Sequence, residues 1–172
     1  MTPAGGPFGG LELLVAGPAV GAALLPLLPD CRRVTQAAIG LASCVLALSI
    51  WMWVDVVSAD GAYVWQSNAS WIAALDVHWR LGADDLSAPL VVLTAVLSWC
   101  CLVTLLKRAP ECGDTRALVA LVLLMEAGSI GTFVALDLVL FFVFFELVLI
   151  PMWFVIAYWG DQHDEAGRRR AA

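Results

Sequence analysis

The sequence predicts an all-α polytopic membrane protein with about five transmembrane helices, and three observations carry that reading. Its 172 residues are 62% hydrophobic and 14% charged, with a mean hydropathy of +0.89. A soluble domain of this size cannot hide so much apolar surface. The apolar residues gather into runs near the ~20 residues that a membrane helix needs. Basic residues fall on alternate connections: Arg32, Arg33, Lys107, Arg108, Arg116 and Arg168 to Arg170 share one side of a five-span layout, and Arg80 alone lies on the other. This asymmetry places the N-terminus outside and the C-terminus in the cytoplasm. Adding or removing one span destroys it.

The chain, 1–172, reads as one membrane domain. Met1 to Gly10 is rich in Gly and Pro and has no basic start, so no cleavable signal is expected. The first span, 11–28, is made irregular by Gly17, Pro18, Gly21 and Pro26. Pro29 to Arg33 reads as a tight polar turn. The second span, 34–54, ends in Trp51 and Trp53, whose rings favour the membrane interface. Residues 55–85 form a long external loop carrying Asp55, Asp60, Asp76, Asp84 and Asp85. In it, Tyr63–Gln66 and Ala74–Leu81 flank a turn-like Ser67-Asn68-Ala69-Ser70, so a small β-hairpin on the membrane surface is expected. In the third span, 86–106, Ser87, Thr94, Ser98 and Thr104 read as helix-packing hydroxyls. A short charged loop leads to the fourth span, 117–136. The fifth, 138–159, follows, and then a cytoplasmic tail, 160–172.

The fourth and fifth spans meet at a very short connection, Ala135-Leu136-Asp137, and each has one carboxylate near its middle. Glu126 lies eleven residues before Asp137 and Glu146 nine after it. In an antiparallel helical hairpin the two acids then sit ~16 and ~14 Å below the same membrane face. An ionised acid at a helix centre costs about 2.5–3.5 kcal/mol on insertion scales, so such residues mark proton handling or ion pairing by default. The competing reading is a neutral, hydrogen-bonded glutamic acid that only holds helices together. Gly128 and Gly131 allow close helix approach beside Glu126. Pro151, five residues after Glu146, removes the donor that the carbonyl of Leu147 would use, giving a kink. Asp137 suits a helix N-cap for the fifth span, with proton exit as a second role.

Several chemistries find no support. No phosphate loop, dinucleotide fingerprint or nucleophile motif occurs. Cys31, Cys44, Cys100, Cys101 and Cys112 form no C-x-x-C pair and read as buried small hydrophobes. His78 and His163 are far apart, so no metal site is expected. The terminal arginines suit a topology anchor, with no nucleic-acid partner. No catalytic or cofactor-binding residue and no redox centre is expected in this chain.

The run MEAGSIGTFVALDLVLFFVFFELVLIPMWFVIAYWG, Met125 to Gly160, resembles subunit M of the proton-pumping NADH–quinone oxidoreductase, respiratory complex I, an antiporter-like membrane subunit. The E-A-G, A-L-D-L-x-L-F, F-F-E, I-P-M and W-G elements carry the likeness. Upstream, LGADDLSAPLVVLT, Leu81 to Thr94, is similar to the family's entry to the third helix, with Asp85 where the family's D-G-[IL]-S pattern has glycine. The likeness is good from Leu81 to Ala172 and one of layout before that. It implies that Glu146 pairs with a lysine on a later, broken helix and takes part in each proton step, with Glu126 as a second acid of the same half-channel. It also implies that NADH, FMN, iron–sulfur clusters and quinone belong to partner subunits. Neighbouring antiporter-like subunits would be the partners, in a multi-pass protein of the bacterial inner (plasma) membrane. The family has about fourteen spans, against five here, so the sequence reads as its N-terminal part, natural or truncated. A cation/proton antiporter or membrane-bound hydrogenase subunit of the same superfamily is a second reading. A non-transporting scaffold fragment is a third.

The orientation has a direct test. A thiol introduced by Ser70→Cys should react with a membrane-impermeant maleimide only from outside, and one introduced by Ala166→Cys only from inside; the reverse pattern rejects the orientation.

Overall fold

Helix α1 (Gly10–Leu24) begins beside the strands, and α4 (Thr115–Val134) ends there, so both are tied to one end of the molecule. The computed structural model describes residues 9–59, 63–72, 77–107 and 114–160. Within them α1 passes through a 3-10 turn, Leu25–Leu27, into α2 (Cys31–Ser58). Strands β1 (Val64–Ile72) and β2 (Val77–Ala83) follow, then α3 (Ser87–Lys107), α4 and α5 (Leu138–Trp159). All five helices are long and apolar enough to cross a membrane. Pro18 sits inside α1 without ending it, as membrane helices allow where neighbours meet the freed backbone groups.

Helix α4 is central. Half of its apolar window is buried, against 17% for α3 and α5 and 28% for α1 and α2, and it packs on α1, α2, α3 and α5. Its closest approach is to α5. A Cβ added at Gly131 would lie 2.4 Å from the Phe144 ring, and one at Gly128 would lie 2.7 Å from Val148 Cγ2 and 3.3 Å from the Phe144 carbonyl oxygen. Only glycine fits at that spacing, which is how helices lacking a hydrophobic drive gain dispersion contacts in lipid. On α5 the buried residues are Leu140, Phe144 and Pro151, while Phe141, Phe142, Phe145 and Trp153 face outward.

The antiparallel hairpin closes one end. Its register differs from the expected one: Ser67 pairs with Leu81, Asn68 with Arg80, Ala69 with Trp79 and Ser70 with His78. The segment expected to turn is therefore inside β1, and the strands connect through 73–76, outside the described residues. Ser-Asn-Ala-Ser lacks the glycine that tight hairpin turns use. The hairpin is anchored to the helix ends. Trp65, at φ 55°, turns its ring inward. There it meets Trp51 edge-to-face, with centroids 5.9 Å apart, and its Nε1 donates to Asp55 at 2.9 Å. Ser67 donates its hydroxyl to Glu12 of α1. On the other strand Leu136 N–H donates to the Arg80 carbonyl at 2.9 Å, and Leu81 bridges Ala135, so β2 is tied to the α4–α5 connection.

Several local readings change. Arg32 and Arg33 belong to the first turn of α2, capped by Asp30, whose side chain accepts from Arg32 N–H at 3.0 Å. Asp caps its helix with the oxygen one residue ahead of the turn, so the polar turn is shorter than expected. Cys31, Cys44, Cys100 and Cys101 are free thiols on outward helix faces, not core residues; apolar character in a membrane helix suits the lipid side as well as the core. Cys112 and His163 lie outside the described residues. Ser87 is a capping residue: Asp84 N–H donates to its hydroxyl at 2.9 Å, and its own N–H donates to Asp84 Oδ1 at 2.7 Å. This reciprocal pair is a capping box. Asp85, exposed inside it, has no positive φ, so glycine is not required there.

Ser87→Ala should lower stability by about 1 kcal/mol, roughly 2–4 °C in thermal midpoint. The Ser87 N–H holds the Asp84 carboxyl below its ordinary 3.8; desolvation opposes this, and the Ser87 hydroxyl and Leu86 N–H add to it. With the folded value lowered, the contribution is fully present above about pH 4 and is lost as pH falls through the folded value. Asp84→Asn should flatten that acid limb in thermal scans at stepped pH.

Candidate functional site

The α4–α5 connection fixes the depth of both mid-span acids. Asp137 caps α5: its Oδ1 accepts from Val139 N–H at 2.9 Å and from Leu140 N–H at 3.3 Å. Its Oδ2 accepts from His78 N–H at 3.5 Å. Desolvation at this junction raises the Asp137 carboxyl, but the N–H groups of Leu140, Val139 and His78 outweigh it and hold the group below its ordinary 3.8. Counted from the helix ends at this turn, Glu126 lies eight residues below Val134 and Glu146 eight below Leu138. Both are then ~12 Å from the same end of the bundle.

Their surroundings differ. Glu126 is 1% exposed, and neither carboxylate oxygen has a hydrogen-bond partner among the described residues. It lines a cavity of about 270 Å³ between α3 and α4, with Thr94, Ser98, Cys101, Met125 and Ser129. The Thr94 hydroxyl donates to the Leu90 carbonyl at 2.9 Å, which leaves its lone pairs free to accept. Glu146 is exposed on the outer face of α5. It stands two residues, ~200° of helix, from Phe144, which is buried against α4. The structure thus does not bring the two acids together. Glu126 faces α3, and Glu146 faces away from the bundle.

Pro151 is buried within α5, five residues beyond Glu146, where it leaves the Leu147 carbonyl without its helical donor. No group of three or more His, Cys, Asp or Glu that could hold a metal ion occurs among the described residues. The cavity-lining Thr94, Ser98 and Cys101 escaped the sequence reading as a set. Their signal is a small-polar stripe at i, i+4 and i+7, matched across the interface by Val122, Met125, Glu126 and Ser129 at i, i+3, i+4 and i+7. Glu12, Asp55 and Trp65, which pin the hairpin, left no comparable pattern.

A scan against family models finds no match. Curated relatives do match. F(420)H(2) dehydrogenase subunit M of Methanosarcina mazei is 34% identical over 115 residues, covering 67% of this chain and 23% of the relative. An NAD(P)H-quinone oxidoreductase chain 4 of Synechococcus elongatus is 33% identical over 167 residues, covering 93% of this chain and 30% of the relative. The chloroplastic chain 4 of Anthoceros angustus is 31% identical over 158 residues, with 90% and 31% covered. This chain therefore spans about a quarter to a third of the length of these relatives. Among solved structures, respiratory complex I from Thermus thermophilus with bound NADH matches at a TM-score of 0.74 and 28% identity, covering 94% of this chain and 31% of that one. An archaeal membrane-bound sulfane sulfur reductase matches at 0.75 and 17% identity, with 94% and 24% covered, a likeness of fold alone.

An acid with no hydrogen-bond partner among the described residues does not hold these helices together. Glu126→Leu should therefore accumulate in membranes at the wild-type level, with a thermal midpoint in detergent that is unchanged or higher. A clear fall in either would restore the structural-glue reading.

Proposed function

The chain belongs to the family of antiporter-like membrane subunits represented by NAD(P)H-quinone oxidoreductase chain 4 and F(420)H(2) dehydrogenase subunit M, and from that premise we propose that it forms part of a proton-translocating subunit of NADH–quinone oxidoreductase. It would couple quinone reduction elsewhere in the complex to proton transport across the membrane. The observation that carries this reading is the pair of glutamates at equal depth on α4 and α5, each eight residues from the shared turn. Among the described residues neither has a counter-charge in a helix interior, since Lys107, Arg32, Arg33 and Arg116 all sit at helix ends.

Each acid suits a different role. Glu146, on the open face of α5, is positioned to meet a cationic side chain on a helix that packs there. An ion pair at that depth responds strongly to loss of a proton, because low dielectric magnifies the interaction. Glu126, buried and without a hydrogen-bond partner among the described residues, suits an acid that exchanges its proton with water or a charge that arrives. Asp137 acts first as the cap that sets the depth of Glu146; its role in proton exit is secondary. NADH, FMN, iron–sulfur clusters and quinone are assigned to partner subunits of the complex. The setting is the bacterial plasma membrane, with the hairpin outside, in contact with neighbouring antiporter-like subunits.

In the assembled complex, Glu146→Gln should lower proton pumping by about tenfold or more, because an amide cannot bind and release a proton; one decade corresponds to about 1.4 kcal/mol. Stability should stay unchanged, since the side chain is exposed on this unit. Pumping at the normal rate, measured by dye quenching in sealed vesicles, refutes the role.

A further inference from the structure

The cavity beside Glu126 is bounded in a way that says how the acid communicates with its surroundings. On the α5 side the route is shut: Gly128 and Gly131 press against Phe144 and Val148 with no room even for a methyl group. On the α3 side it is open. There the lining is Thr94, Leu97, Ser98 and Cys101 from α3, facing Val122, Met125, Glu126 and Ser129 from α4. Leu97 and Cys101 are themselves exposed at its mouth.

Size and chemistry indicate what fills it. At ~30 Å³ per water, about 270 Å³ holds several waters. A cavity lined only by apolar groups stays dry, whereas a water needs two to four polar partners. This one offers the hydroxyls of Thr94, Ser98 and Ser129 and the Cys101 thiol, and the unbonded Glu126 carboxyl, whose oxygens expose less than 1 Å² each, lies in its wall. Measured along the helices from the hairpin end, the lining runs from Ser129, ~8 Å down, to Cys101, ~21 Å down. It spans mid-membrane and stops short of both ends of the bundle. Glu126 and the Cys101 thiol are the titratable groups in its lining.

We propose that the α3–α4 cavity is a water-filled compartment through which Glu126 exchanges its proton, on the α3 side and not across the α4–α5 seam. The step requires the carboxyl to turn from the wall into the cavity; its O–H bond then breaks, the electron pair stays on the carboxylate, and the proton passes to a cavity water as hydronium. The reverse step restores the neutral acid. This rests on the transport reading of Glu126 and adds the route.

Native cysteines give the test. A small neutral methanethiosulfonate reagent, which crosses the membrane, reacts with thiolate, which forms readily only in a polar setting. Two single-cysteine forms of the full-length chain, in native membranes, keep either Cys101, at the cavity, or its neighbour Cys100, which is exposed but outside the lining. Cys101 should label about tenfold faster than Cys100, and Glu126→Leu should slow Cys101 to the Cys100 rate by drying the cavity. Where that variant fails to assemble, the infrared carbonyl band of the Glu126 acid, identified by its loss in Glu126→Gln, should shift promptly in deuterated buffer. Equal rates at the two thiols, or labelling of Cys101 only by a lipid-soluble maleimide, overturn the proposal, as does a band that does not shift. Failure of the route is separable from failure of the transport reading. Fast Cys101 labelling with normal pumping by Glu126→Gln removes transport through Glu126. Slow labelling with impaired pumping removes the α3-side route alone.

Discussion

The close approach of α4 and α5 at Gly128 and Gly131 is the contact on which the rest of the structure depends. With no side chain at either position, Phe144 and Val148 seat directly on the α4 backbone. This fixes the rotation of both helices. Phe144 toward α4 puts Glu146 outward; Gly128 toward α5 puts Glu126 toward α3. In lipid, where apolar burial gives little drive between helices, this packing carries the association. Larger residues would separate the helices and release both rotations.

The hairpin converts that packing into a fixed depth. Through Ser67 it holds α1 and through Trp65 it holds α2, and through Arg80, Leu81 and the His78 N–H it holds the α4–α5 connection. Asp137 is the shared element. One carboxylate accepts from the first turn of α5 and from β2, so a single side chain sets both the start of α5 and the position of the strand. The left-handed backbone at Trp65 is a local cost for a bulky residue. It turns the indole toward Asp55 and Trp51, where burial and a hydrogen bond offset the strain.

Local chemistry was legible in the sequence, and facing was not. Asp137 as a cap and the three-residue connection follow from signals within a few residues. So does the presence of a hairpin among aromatic and polar residues, although its register does not, because pairing is set by anchors at Trp65 and Leu81 that lie far apart in the chain. The direction each acid faces is absent from the pattern for a physical reason. In a soluble helix, polar residues mark the solvent face. Here the lipid face and the buried face are both apolar, so α4 and α5 read as uniform runs. Glycines and small polar residues are the surviving markers. Gly128 and Gly131 carry that signal on their own, while Thr94, Ser98 and Cys101 show as one face only once α3 is set against α4.

Equal depth and opposite facing have a joint consequence for any proton that crosses this unit. Two acids ~12 Å below one end look like successive stations, but the seam between them is filled by Phe144 and Val148 against glycine backbone. Direct transfer across it would need a hydrogen-bonded path through a contact too tight for a methyl group. Within these five helices any influence of one acid on the other therefore runs through helix position, not through a proton passed directly. A helix that packs on the open face of α5 would instead bear on the α3–α4 cavity through the seating of Phe144 and Val148 on Gly128 and Gly131.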